Sequence, residues 1–224
     1  MKKVLFVVSS HSVKGATGEP TGYYLGEVSH TWSVLHDAGL EIDFVSPKGG
    51  EAPGEGFDFT DPINKKFWDN DEYRSKIQNT LKPSYVDVDQ YVAIYYAGGH
   101  GTMWDFADNT ELQQITKQIY EGGGYVGAVC HGPAGLLNVR LSNGDNLVKG
   151  KRVNTFTDAE ERAINLDKIV PYMLETEMKK RGVLFESSGL WEPHVAVDDR
   201  LVTGQNPASA KGVGEALLQL INQQ

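Results

Sequence analysis

Short apolar runs alternate with amphipathic stretches along almost the whole chain. KVLFVV (3–8) reads as a buried strand that stops at Ser9, Ser10 and a Gly-Pro loop, GATGEPTG. Around GEVSHTWSVLHDAGL, Leu25, Val28, Trp32 and Leu35 recur at helical spacing, and Gly39 supplies the stop. EIDFVSP (41–47) predicts a second strand, closed by proline. QYVAIYYAGGHG (90–101) predicts a strongly apolar strand running into a glycine turn, and GYVGAV (124–129) another strand. A helix is predicted over 109–121, capped by Asn109 or Thr110; another begins at PAGLLN, and PASAKGVGEALLQLINQQ closes the chain as a third. Between them lie a strand in KRVNTF, helical sequence interrupted by Pro171, and the short strands VLFESS, HVAVDD and RLVTG.

This alternation predicts an α/β fold, a mostly parallel sheet with helices on both faces. One domain over 1–224 is expected, with 48–83 and parts of 155–190 inserted around a site. The segment 48–83, rich in Gly, Asp, Asn and aromatics, is longer than a usual connection and is expected to hold one short helix near 71–81. Its Phe57, Phe59, Phe67 and Trp68 serve either to anchor it on the core or to form an exposed apolar patch.

Composition narrows the function classes. The formal charge of −9 lacks the basic footprint that nonspecific nucleic-acid binding needs. A single cysteine excludes an intramolecular disulfide and gives no sign of an oxidising compartment. The apolar stretch from Val4 to Val8 is too short for a signal sequence, and no run reaches a membrane span. A cytoplasmic protein with no membrane or nucleic-acid partner is expected.

The lone cysteine, Cys130, sits in AVCHGP, where an apolar strand stops and a helix is expected to start. In open α/β sheets ligands collect at the carboxyl ends of strands. A residue on such a strand-to-helix turn points into that crevice, and the turn needs small neighbours, here Ala128 and Gly132. A helix N-terminus there would favour thiolate over thiol. A lone cysteine is ordinarily a small buried hydrophobe, but the CHGP turn favours a reactive thiol. AGGHG (97–101) offers backbone N–H groups for an oxyanion hole together with the amide of His131. Glu27, near the start of the first helix, and the acids of FTDAEE (156–161) are further candidates, although single acids at such places usually serve as helix caps or solvated termini. Trp104 and Asp105, after the glycine turn, are candidates for the pocket wall. His11, His30, His36, His100 and His194 show no metal-ligand spacing, so no metal and no cofactor are expected.

TGYYLGE, AGGHG, AVCHGP, FTDAEE and TGQNPAS, in that order from residue 21 to 209, resemble the DJ-1/PfpI superfamily and, within it, the Hsp31-like branch. The resemblance implies a flavodoxin-like sandwich and a homodimer. It implies Cys130 as nucleophile, His131 as the adjacent imidazole and Glu161 as the acid of the constellation, in preference to Asp158 or Glu160. It further implies Glu27 as a glutamate touching the thiol, and Gly99 with the His131 amide as the oxyanion site.

The activity implied is glyoxalase III, the glutathione-independent conversion of methylglyoxal, a small dicarbonyl, to lactate. Cysteine, imidazole and a second carboxyl supply a nucleophile and two proton carriers, which suits that rearrangement. Amide or peptide hydrolysis of the PfpI type uses the same thiol but gives Glu27 no task. A holdase chaperone acting on unfolded clients through apolar surface, and deglycation of proteins through the thiol, are further activities associated with the resemblance.

Overall fold

The structure, a computed structural model, describes residues 2–223. In chain order its elements are β1 (Lys3–Val7), β2 (Tyr23–Tyr24), α1 (Leu25–Asp37), β3 (Glu41–Val45), β4 (Gly54–Glu55), α2 (Pro62–Asp69), α3 (Asp71–Gln78) and β5 (Tyr91–Tyr96). They continue with α4 (Thr102–Asp105), α5 (Thr110–Glu121), β6 (Tyr125–Val129), β7 (Arg152–Val153), α6 (Asp158–Ala163) and α7 (Leu174–Lys180). The chain closes with β8 (Leu184–Phe185), β9 (Val195–Asp198), β10 (Leu201–Gly204) and α8 (Ala210–Asn222).

The main sheet runs β3-β1-β5-β6-β10-β9, with every pairing parallel except the β9–β10 hairpin. Both faces are buried, as the unbroken apolar strands require. Along β1, Val4 and Phe6 enter the core beneath α1 and α8, while Leu5 and Val7 enter the core beneath α5. This is the expected flavodoxin-like arrangement. No described helix is long and apolar enough to cross a membrane.

Four local expectations need correction. The helix expected from Pro133 is a five-residue 3-10 segment, Gly132–Leu136; two glycines and a proline in five positions give little support to a longer helix. The KRVNTF and VLFESS strands shrink to the two-residue pair β7–β8. The segment 48–83 contains two helices instead of one. Asp61 caps α2 by accepting from Ile63 and Asn64, and Asn70 caps α3 by accepting from Glu72 and Tyr73. Of the segment's aromatics, Phe67 is fully buried edge-on against Trp32, whereas Phe57 and Phe59 remain 40% and 44% exposed around Trp68. One ring therefore anchors the segment and two stay at its surface.

Candidate active site

β6 ends at Val129, and the next residue turns into the left-handed region, with φ 60 at Cys130. A side chain with a Cβ adopts this backbone only when its surroundings enforce it. Here the Cys130 N–H donates to Gly204 O at 2.9 Å, continuing the β6–β10 ladder, and its carbonyl accepts from Phe156 N–H at 2.8 Å. The turn aims the thiol into a cavity of about 340 Å³, whose walls include Tyr24, Glu55, Gly99, Phe156, Trp191 and Pro207.

The sequence candidates converge here. Cys130 Sγ lies 3.3 Å from His131 Nδ1, and His131 Nε2 lies 2.7 Å from Glu161 Oε2. Glu161 comes from the first turn of α6, which a Thr157–Glu160 capping box fixes in place. Glu27, in the first turn of α1, is fully buried, and its Oε2 accepts the Gly98 N–H at 2.6 Å. Its Oε1 is buried without a hydrogen-bond partner; the Cys130 thiol interacts with the carboxyl but does not stand in hydrogen-bond geometry to that oxygen. Tyr95 Oη donates to the Glu27 carbonyl at 2.8 Å and holds the helix start.

The glycine turn makes the approach possible. A Cβ on Gly98 would stand 2.5 Å from Glu27 Oε2, and one on Gly99, whose φ is 100, would stand 2.2 Å from Gly22 O. Gly99 thus lines the cavity, while the neighbouring Gly98 N–H is committed to Glu27. The His131 backbone N–H faces the Cys130 sulfur.

Electrostatics divide the carboxyls. Burial works against ionisation of Glu161, but the two imidazoles, His131 and His100, more than offset it through their hydrogen bonds and through the charge each carries when protonated, and hold its pKa down at about 2. Burial pushes Glu27 up to about 8, against the opposing thiol and Gly98 interactions and with the help of the Glu55 charge. Glu27 is therefore protonated at neutral pH.

The expectation of an acidic thiol is corrected. Burial, followed by the charges of Glu27 and Glu161, raises the Cys130 pKa well above its usual value, and only the His131 N–H pulls it down. With no long helix behind it and only 4% exposure, the sulfur rests as a thiol.

Sequence reasoning passed over His100 as an ordinary hydrogen-bonding histidine. Its Nε2 lies 2.8 Å from Glu161 Oε1, and its ring centre is 4.1 Å from that of His131. Burial and the neighbouring His131 push its pKa down, so it stays neutral. Since an ionised carboxylate only accepts, both imidazoles present Nε2–H to Glu161, and His131 Nδ1 remains an acceptor facing the sulfur. The donor atoms of His100, His131 and Glu161 all lie within 4.8 Å of one another. Two imidazoles and a carboxylate are a donor set that zinc accepts. The same atoms are already joined as a hydrogen-bonded relay. His131 and His100 lie 30 and 61 positions from their shared partner Glu161, so no short motif signals the cluster.

The remaining candidates lie elsewhere. Asp158 accepts from Thr176 Oγ1, and Glu160 accepts from Thr157, Trp191 N–H, Gln205 and Asn206. Glu160 thereby fixes Trp191, which is 48% exposed with φ 66, over Phe156 at the cavity wall. Trp104 and Asp105 do not line the cavity: Trp104 stacks on His11, and Asp105 accepts from Ser9 Oγ and Ser10 N–H. His30 pairs with Asp61, His36 stacks on Trp32, and His194 bonds Ser188.

Residues 21–220 match the model of the DJ-1/PfpI family. The chain belongs to the DJ-1/PfpI family. Among its relatives in that family, Glutathione-independent glyoxalase HSP31 of Saccharomyces cerevisiae is 34% identical, over 93% of each chain. The solved structure of glyoxalase III from Candida albicans superimposes with a TM-score of 0.89 at 30% identity, covering 98% of this chain and 97% of that one. Rapid Encystment Protein 24 KDa of Francisella tularensis superimposes with a TM-score of 0.95 at 37% identity, covering 99% of both chains.

Proposed function

We infer that this protein is a glutathione-independent glyoxalase, a glyoxalase III-type lyase that converts methylglyoxal and water to lactate. The names of the full-length yeast and Candida relatives support the activity. The observation that carries the chemistry is the position of one thiol between an imidazole acceptor and a protonated carboxyl. Amide hydrolysis would leave that carboxyl without a role.

In this reading His131 Nδ1 takes the thiol proton as Cys130 attacks the aldehyde carbon, while Glu27 protonates the aldehyde oxygen. The hemithioacetal forms with no net loss of a proton. Glu27, now ionised and basic because of its raised pKa, removes the carbon-bound proton, and the imidazolium protonates the ketone oxygen to give an enediol. Glu27 returns its proton to the second carbon, and the first hydroxyl gives its proton back to His131. The resulting thioester is attacked by water, which loses a proton to Glu27, and the departing sulfur recovers its proton from His131. Glu161 and His100 act through His131 as positioning residues.

Lactate release from methylglyoxal without glutathione, followed in the wild type and in Cys130→Ala, tests the reading. The variant is expected to lose all turnover. Turnover retained without the thiol, or amide hydrolysis faster than aldehyde conversion in the wild type, overturns it.

A further inference from the structure

The cavity carries acidic side chains and no fixed cation. Glu27 and Glu55 line it, Glu161 stands behind the two imidazoles, and none of the lining side chains is a lysine or arginine. Glu55 is the carboxylate that the reaction scheme leaves unused. It reaches the site from β4, and its Oε1 accepts from His100 N–H at 3.1 Å and from Thr21 Oγ1 at 3.3 Å. Its Oε2 lies 3.8 Å from Lys14 Nζ, which stands outside the cavity and is also 4.0 Å from Glu19. One shared cation at that distance offsets only part of the Glu55 charge.

We infer that Glu55 makes the site selective by charge, admitting uncharged electrophiles to Cys130 and turning away those that carry a carboxylate. The inference deepens the glyoxalase reading, because it defines the substrate class as neutral carbonyl compounds and gives the product a reason to leave. A neutral ketoaldehyde enters without desolvating a charge. Its 2-hydroxy acid product is an anion, formed among carboxyl groups with no guanidinium or ammonium to hold it. A neighbouring carboxylate at a half-buried site repels an entering anion enough to slow its reaction about tenfold or more.

Alkylation by iodoacetamide and iodoacetate tests this directly. In both reactions the Cys130 sulfur displaces iodide, forming one S–C bond and releasing iodide and the thiol proton. The reagents are nearly equal in size and differ by one charge, and the chain has only one cysteine to label. The quantity to read is the iodoacetamide-to-iodoacetate rate ratio in the folded protein, divided by the same ratio in denaturant. A value of about ten or more is expected in the wild type. It is expected to fall toward one in Glu55→Gln, which keeps an acceptor oxygen for Thr21 and His100, and to rise in Lys14→Ala. A wild-type value near one, an unchanged value in Glu55→Gln, a lower value in Lys14→Ala, or a thiol that neither reagent labels overturns the inference. Methylglyoxal turnover on the same samples keeps the two readings apart. Lost turnover with the ratio intact removes the glyoxalase reading alone, and a lost ratio with turnover intact removes charge selection alone.

Discussion

Glu161 holds His131 through a 2.7 Å bond to Nε2, and that bond decides which ring atom meets the Cys130 sulfur. With Nε2 donating to the carboxylate, Nδ1 keeps its lone pair for the thiol proton. Glu161→Gln keeps the shape but removes the charge and one of two acceptor oxygens, so the ring loses the preference that leaves Nδ1 free. The expected outcome is a fall in kcat of about 10²-fold or more with a much smaller change in KM. Steady-state kinetics on methylglyoxal check this; a KM effect without a kcat effect contradicts it.

His100 bonds the other oxygen of the same carboxylate at 2.8 Å. Its hydrogen bond is one of the interactions that hold Glu161 down at about 2, against the cost of burial. His100→Ala removes that interaction, so the Glu161 pKa rises and the site loses its carboxylate at a higher pH. The acid limb of kcat/KM is therefore expected to move upward relative to the wild type. A pH profile separates this from a general loss of folding, which would lower the whole curve without moving the limb.

The main frame of this site was legible because it depends on local pattern. The apolar runs that became β1, β5 and β6 are buried on both faces, so they stand out as unbroken Val, Ile, Leu and Tyr segments. Cys130 declared itself through the small residues its turn requires, and Glu27 and Glu161 through the neighbouring motif positions. His100 did not, because its partnership with Glu161 spans 61 residues and is created only by the sheet order. The helix α2 also escaped notice: it buries only Asn64 and Phe67, too few positions to write a helical period. The thiol's raised pKa was hidden for a different reason, since burial depends on what the rest of the chain places over the turn.

Glu27 ties both activity and stability to pH, and replacing it is expected to move the two in opposite directions. Its pKa rises from 4.5 to about 8 in the folded protein, so between those values the folded state binds the extra proton and the unfolded state does not. Stability contributed by this group is thus fully present below about 4.5 and is lost as pH rises toward 8. Glu27→Gln removes the penalty because glutamine has no proton to lose. The variant is expected to melt higher than the wild type at pH 7.5, by an amount worth a few kcal/mol, with the advantage shrinking toward pH 5. The same variant is expected to lose turnover, and wild-type kcat/KM is expected to decline above about pH 8 as the carboxyl ionises. Thermal melts across pH, set beside the rate profile, check both signs. A melting difference that does not change with pH contradicts the burial account.

The strained backbone at Cys130 makes a separate demand on the fold. With φ 60, the residue occupies a region that glycine enters freely and a residue with a Cβ does not. Its two backbone hydrogen bonds, to Gly204 and from Phe156, hold it there. Cys130→Ala removes the sulfur but keeps the Cβ and therefore the strain; Cys130→Gly removes both. Glycine also gives the unfolded chain more freedom, which reduces the gain without reversing it at a left-handed position. The glycine variant is expected to be the more stable of the two by about 1 kcal/mol, although both lack turnover. Denaturant titration of the pair measures the difference. Equal midpoints would mean that the turn holds no strain, and the thiol's presentation would then need only the hydrogen bonds.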